Sequence, residues 1–222
     1  MMSRELWSKL DDFYAEQLHL NDPAMERVLE RNREAGLRNI SVSPNQGKLL
    51  MLLCLAKGAK RVLEIGTLGG YGALWLAKGV GEDGNVITLE VNPKTAEVAR
   101  RNIEEAGASG QIEVRVGDAR ETLQAMIDAR EEPFDLVFID ADRANLPHYV
   151  EAAMQLSTPG TVIFIDNTVR YGWVADPSET GPELDGVRAF LDLAADDPRL
   201  ECTVMQTVGE KGHDGFALCV VR

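Results

Sequence analysis

A knot of glycines and a series of spaced carboxylates are the residues of this chain best suited to chemistry. Gly66, Gly69 and Gly70 crowd together just after Glu64. Glycines at such spacing let a backbone turn sharply and come close to a ligand, and the free amides of a helix starting there attract electron-rich groups. Further along stand Glu90, Asp118, Asp140 and the pair Asp166-Asn167. Carboxylates so placed can grip hydroxyl groups by hydrogen bonds, and where several converge they need a cation to offset their repulsion.

The order of the glycines narrows the ligand. A dinucleotide fingerprint reads G-x-G-x-x-G, whereas this loop reads Gly66-Thr67-Leu68-Gly69-Gly70-Tyr71-Gly72. Glu64 would repel a pyrophosphate but not a cationic or zwitterionic ligand. S-adenosylmethionine, with a sulfonium, an amino group and no phosphate, suits that charge; the alternative is that Glu64 only caps or pairs locally. Asp140, Asp166 and Asn167 offer oxygen atoms alone, the donor set of a hard ion, Mg²⁺ first, with Ca²⁺ or Mn²⁺ as alternatives. The competing reading is that each aspartate caps the helix that follows it.

These residues need elements to hold them. Apolar, β-branched runs at 62–65, 86–90, 112–116, 134–139 and 161–165 read as strands, and they alternate with helical patterns at 70–80, 93–106, 120–129 and 146–156. Such alternation predicts an α/β fold, a doubly wound, Rossmann-like sheet with helices on both faces. Glu90, Asp118, Asp140 and Asp166 then fall at the carboxyl ends of successive strands, where open α/β sheets bind ligands in a crevice. Upstream, residues 3–20 carry Leu6, Leu10, Phe13, Tyr14 and Leu18 at near-helical spacing. Asp22-Pro23, Ser43-Pro44 and Asn92-Pro93 are helix starts, an N-cap followed by proline. The segment around Ser43 is expected to fold over the glycine loop. Residues 166–182 break the rhythm and hold Tyr171 and Trp173; aromatics in a loop point to a functional segment. A helix at 184–195 and two strands at 201–208 and 215–221, joined by 209–214, complete the chain. One domain is expected, with a helical extension over 1–40 and a core over 41–222.

A formal charge of −13 and a pI near 4.7 disfavour a nucleic-acid partner, since phosphate binding needs concentrated Lys and Arg. Cys54, Cys202 and Cys219 are odd in number and far apart, and are expected as reduced core residues. No apolar run reaches the length of a membrane span, and the expectation is a cytoplasmic protein without a membrane partner.

Taken together, Val62-Leu63-Glu64-Ile65-Gly66-Thr67, Gly117-Asp118-Ala119, 134–142 (FDLVFIDAD) and Pro159-Gly160 leading to Asp166-Asn167 resemble the ordered motifs of the cation-dependent class I O-methyltransferases. These are the relatives of caffeoyl-CoA and catechol O-methyltransferases, and the similarity runs from about Ser41 to the C-terminus. The resemblance implies a seven-stranded sheet whose last strand is antiparallel and S-adenosylmethionine as methyl donor. It also implies a divalent ion that chelates a small aromatic acceptor bearing vicinal hydroxyls, and a homodimer. Matched position by position, Glu64, Gly66, Gly70 and Tyr71 would face the methionine part of the donor, Glu90 the ribose, and Asp118 and Ala119 the adenine. Val42 and Ser43 match the covering segment; Asp140, Asp166 and Asn167 match the metal ligands, with Asp140 also beside the donor. Arg143 departs from the family, which commonly has lysine there. A lysine can act as a base, whereas a guanidinium stays protonated, so Arg143 is expected to stabilise a phenolate rather than deprotonate it. Two other readings stand beside this one: an NAD-type Rossmann oxidoreductase, and a protein that binds S-adenosylmethionine but has lost catalysis.

Overall fold

The computed structural model describes residues 4–20 and 22–222. The expected start of the first helix at Ser3 lies outside them. The chain runs α1 (Arg4–Gln17), α2 (Pro23–Glu34), α3 (Pro44–Lys57), β1 (Arg61–Ile65), α4 (Tyr71–Val80), β2 (Asn85–Glu90), α5 (Pro93–Glu105), β3 (Ile112–Val116) and α6 (Ala119–Asp128). It continues through β4 (Phe134–Ile139), α7 (Leu146–Gln155), β5 (Ser157–Asp166), α8 (Pro182–Asp196), β6 (Leu200–Gly209) and β7 (Gly212–Val221), with short 3-10 turns at Arg143–Asn145 and Arg170–Ala175. The strands form a seven-stranded sheet in the order β3-β2-β1-β4-β5-β7-β6. Strand β7 runs antiparallel to both of its neighbours, as the resemblance implied.

The chain divides into two compact units. One is Asp12–Thr122. There β1, β2 and β3 pair in parallel, and the central residues Val62, Leu63, Ile65, Val86 and Ile87 are buried. Apolar character on both faces of a strand is what burial between helices demands. The expected N-caps form: the Asp22 carboxylate accepts the amides of Ala24 and Met25, Ser43 Oγ accepts that of Gln46, and Asn92 Oδ1 accepts that of Lys94. Proline follows each cap, where its missing N–H costs no helix bond.

The second unit joins the residues before Asp12 to Leu123–Arg222. Strands β4 and β5 are parallel, with Leu136, Val137, Phe138, Ile139, Ile163, Phe164 and Ile165 buried. The β6–β7 hairpin differs from expectation. Both strands extend further than their apolar runs, leaving Glu210-Lys211 as the whole connection in place of a six-residue loop. Register explains the extension, because ladder pairing continues to Gly209 opposite Gly212 whatever the side-chain polarity. The same register places Cys202 opposite Cys219 with their Cα atoms 4.1 Å apart, and a disulfide joins them. Cys54 is buried and takes no part in a disulfide. The expectation of three reduced cysteines is therefore corrected: strand pairing, invisible in the 17-residue separation, brings two of them together.

Helix α1 buries none of its side chains, and Leu6, Leu10, Phe13 and Tyr14 are exposed along it. Strand β6 is likewise uncovered, with Val204, Met205 and Val208 exposed. Among the described residues no helix is long and apolar enough to cross a membrane.

Candidate active site

The glycine loop follows β1 and ends where α4 begins. Leu68 within it takes a left-handed backbone (φ 48°), a strained state for a non-glycine residue. Its amide is held there by Glu90 Oε2 at 2.9 Å, while Glu90 Oε1 accepts the amide of Asn92 at 2.9 Å. Glu90 thus ties the loop to the end of β2, and its remaining lone pairs are the ones free for a ligand. Glu64, fully buried, accepts the hydroxyl of Thr88 at 2.6 Å, and Thr88 meets the hydroxyl of Thr67 at 2.5 Å. A chain of hydroxyls therefore runs from Glu64 back into the loop.

Beneath the loop lies an amide pair that the sequence reading missed. Asn102 on α5 is completely buried, and its Nδ2 donates at 2.9 Å to the Gly69 carbonyl and at 2.9 Å to Oδ1 of Asn32 on α2. A Cβ at Gly69 would lie 1.9 Å from Asn32 Oδ1, so only glycine permits this approach. The available signal was an asparagine at a core-facing position of each amphipathic helix, since buried amides are placed only where they are bonded.

Several of the residues assigned to the donor have structural partners of their own. The Tyr71 ring is buried edge-on to Trp75, and burial pushes its phenol up to about 12. Tyr71 is the first residue of α4. Gly66 and Gly70 bracket the loop at φ 105° and 85°. Asp118 carries the Arg120 guanidinium on both carboxylate oxygens, at 3.1 and 2.7 Å, which holds its carboxyl well down, at about 2. Ala119 opens α6, Val42 is buried, and Ser43 is occupied as the cap of α3.

In the other unit Asp140, Arg143, Asp166 and Asn167 form one cluster. Asp140 follows β4, Asp166 ends β5, and Arg143 opens the first 3-10 turn. Arg143 Nη2 donates to Asp140 Oδ1 at 2.9 Å and also to Asn167 Oδ1, while its Nε donates to the Asp166 carbonyl at 3.1 Å. Asn167 has a left-handed backbone (φ 53°), and its amide donates to Asp166 Oδ1 at 2.9 Å. Arg143 is buried, whereas the Asp140 side chain keeps 21% of its surface exposed. Desolvation pushes the Asp140 carboxyl above the usual carboxylate range and the guanidinium beside it pulls it back. Helix α8 seats the arginine from behind. The Arg143 amide donates to Glu183 Oε2 at 3.3 Å, and a Cβ at Gly186 would lie 1.9 Å from the Arg143 carbonyl.

The donor chemistry of this cluster fits a divalent ion in kind: two carboxylates and an amide oxygen are hard ligands. Among the described residues no group of three His, Cys, Asp or Glu side chains could hold a metal, so the Asn167 amide would have to serve as the third ligand. The guanidinium already engages two of these three side chains.

Two further residues of the hairpin sit by this cluster without any local sequence signal. Asp214 Oδ1 accepts the amides of Val169 and Arg170, at 3.2 and 2.9 Å, and so clamps the segment after Asn167. Lys211 feels the carboxylates of Asp140 and Asp166; desolvation lowers its ammonium and those carboxylates oppose the shift, while exposure at the turn tempers it. Tyr171 and Trp173 are both exposed, with ring centroids 5.2 Å apart. Their loop is stapled by Arg188 of α8, whose guanidinium donates to the carbonyls of Trp173, Val174, Asp176 and Glu179. His213 pairs with Gln206, and His148 lies against Tyr149.

A family model described as O-methyltransferase matches residues 16–221. A catechol O-methyltransferase of Mycobacterium tuberculosis is 46% identical over 213 residues, covering 96% of this chain and 95% of that protein. Another, from Niastella koreensis, is 39% identical over 221 residues and covers all of both chains. The crystal structure of an O-methyltransferase from Bacillus cereus in complex with SAH superposes with a TM-score of 0.97 at 47% identity, covering 99% of this chain and 100% of the other.

Proposed function

We propose, from the premise that this chain belongs to the O-methyltransferase family, that it moves a methyl group to a hydroxyl of a small catechol-like aromatic. It is an S-adenosylmethionine-dependent O-methyltransferase, and the oxidoreductase alternative falls with the family match. The observation that supports the catechol reading is the hydrogen-bonded cluster of Asp140, Arg143, Asp166 and Asn167, an oxygen-rich, charged seat, with Tyr171 and Trp173 exposing flat rings in the segment that follows Asn167. Vicinal hydroxyls need such a seat, and an aromatic acceptor gains from stacking.

Each residue then has a task. The glycine loop, with Glu64, Gly66, Gly70, Tyr71, Glu90, Asp118 and Ala119, holds the donor, under the cover of Val42 and Ser43. Glu90 also fixes the strained Leu68, so that the loop is set before the donor arrives. Asp140, Asp166 and Asn167 would hold a divalent ion, Mg²⁺ first, which would acidify the hydroxyl and fix its orientation. Arg143 contributes a fixed positive charge toward a phenolate, as guanidinium groups do. The apolar residues left exposed on α1 and on β6 support a homodimer, since large apolar side chains left uncovered favour association. A cytoplasmic setting completes the reading.

Labelled methyl transfer from S-adenosylmethionine to caffeic acid, with Mg²⁺ and then with excess EDTA, tests it. Transfer that EDTA abolishes is the expected result. Tight binding of S-adenosylhomocysteine with no transfer to any catechol would leave the protein as a donor-binding relative without catalysis.

A further inference from the structure

We infer that Arg143 is a tethered cation competing with the divalent ion for Asp140 and Asn167, so that ion binding requires the guanidinium to swing out. This rests on the proposed role of Asp140, Asp166 and Asn167 as ligands. The first ground is occupancy. One nitrogen, Nη2, engages Asp140 Oδ1 and Asn167 Oδ1 together, while Nε takes the Asp166 carbonyl. Two of the three side chains that an ion would use, Asp140 and Asn167, are thus already engaged by the arginine.

The second ground is that the arginine cannot yield in other ways. A guanidinium does not lose its charge in a protein. Its backbone cannot draw back, because Gly186 of α8 packs directly on the Arg143 carbonyl and Glu183 accepts its amide. Release therefore falls to side-chain rotation, out of a buried position and away from three hydrogen-bond acceptors. The third ground is charge. The two carboxylates present two negative charges to an incoming ion, and the guanidinium cancels one of them. Lys211 subtracts further from the attraction, and Asp214, which bears on Asp140, adds to it. A lysine in place of Arg143 would keep the charge and could bridge the two side chains with its one ammonium, but it has no second nitrogen to hold the Asp166 carbonyl at the same time.

The test is Mn²⁺ binding, read by the electron paramagnetic resonance of free Mn²⁺, on the full chain and its variants, with circular dichroism to verify folding. Arg143→Met is expected to bind Mn²⁺ at least ~10-fold more tightly than the unaltered protein, and Asp166→Asn to bind it more weakly. Equal or weaker binding by a folded Arg143→Met, with Asp166→Asn still weakened, overturns the competition and leaves the ligand assignment standing. Unchanged binding in Asp166→Asn overturns the ligand assignment itself. Should Arg143→Met fail to fold, the unaltered protein carries the test through the ¹⁵N resonance of Arg143 Nε, assigned by its loss in Arg143→Lys. Saturating Mg²⁺ is expected to shift that resonance and speed exchange of its proton; a signal unmoved by Mg²⁺ overturns the inference.

Discussion

The glycine loop and the oxygen cluster are held in opposite ways. The loop is fixed by short bonds between buried groups: Glu90 to the Leu68 amide, Asn102 to the Gly69 carbonyl, and the Thr67-Thr88-Glu64 chain of hydroxyls. Its shape is settled by backbone approach and leaves little to adjust. The cluster is a balance of full charges, with a strained Asn167 and a buried guanidinium bridging its acceptors. Low dielectric strengthens satisfied bonds and penalises orphaned ones, so the first arrangement gives rigidity. The second leaves opposed charges held in balance by a single side chain, Arg143.

The sharpest way to separate the two is to strike each alone. Asp166→Ala should lower methyl transfer by about 100-fold or more, the scale of losing electrostatic stabilisation and orientation of the reacting group. Calorimetry of the same variant should give S-adenosylhomocysteine binding within about threefold of the parent, and a parallel loss of both would erase the distinction. Gly69→Ala attacks the loop through Asn32. It should weaken S-adenosylhomocysteine about tenfold and cost about 1–3 kcal/mol of stability, as overpacking does. Asn102→Leu removes the donor beneath the loop and leaves the Gly69 carbonyl unpaired, at a cost of about 1–3 kcal/mol in urea unfolding. A neutral result there would mean that the loop holds itself. Smallest of all, Arg143→Lys should keep or raise the transfer rate and shift its pH profile, because an ammonium can release a proton where a guanidinium does not. Complete loss of activity in that variant would show that the fork itself is required.

Much of this was legible in the chain. The strand and helix rhythm, the proline-marked caps and the positions of Glu90, Asp140 and Asp166 at strand ends follow from periodicity and from the chemistry of helix starts, which are local. Asn102 and Asn32 were not read, because the bond between them spans 70 residues and the reason for it is a carbonyl in a third element. The Cys202–Cys219 bond, the short hairpin turn and the clamp of Asp214 share that cause: each is decided by which strand pairs with which, and in what register. Arg143 was seen as a departure from lysine. That its guanidinium bridges Asp140 and Asn167 depends on α8 pressing Gly186 against its backbone, a contact across 43 positions that no motif encodes.

The Glu210-Lys211 turn is bound from two sides. Arg4 and Asp11 of α1 hold the carbonyl and amide of Glu210, and Tyr171 donates to the carbonyl of Lys211. Two peptide units thus act as a shared mooring for the first helix and for the aromatic loop. A change in the turn would therefore be felt by the first helix and the aromatic loop together, since both hang on the same two residues.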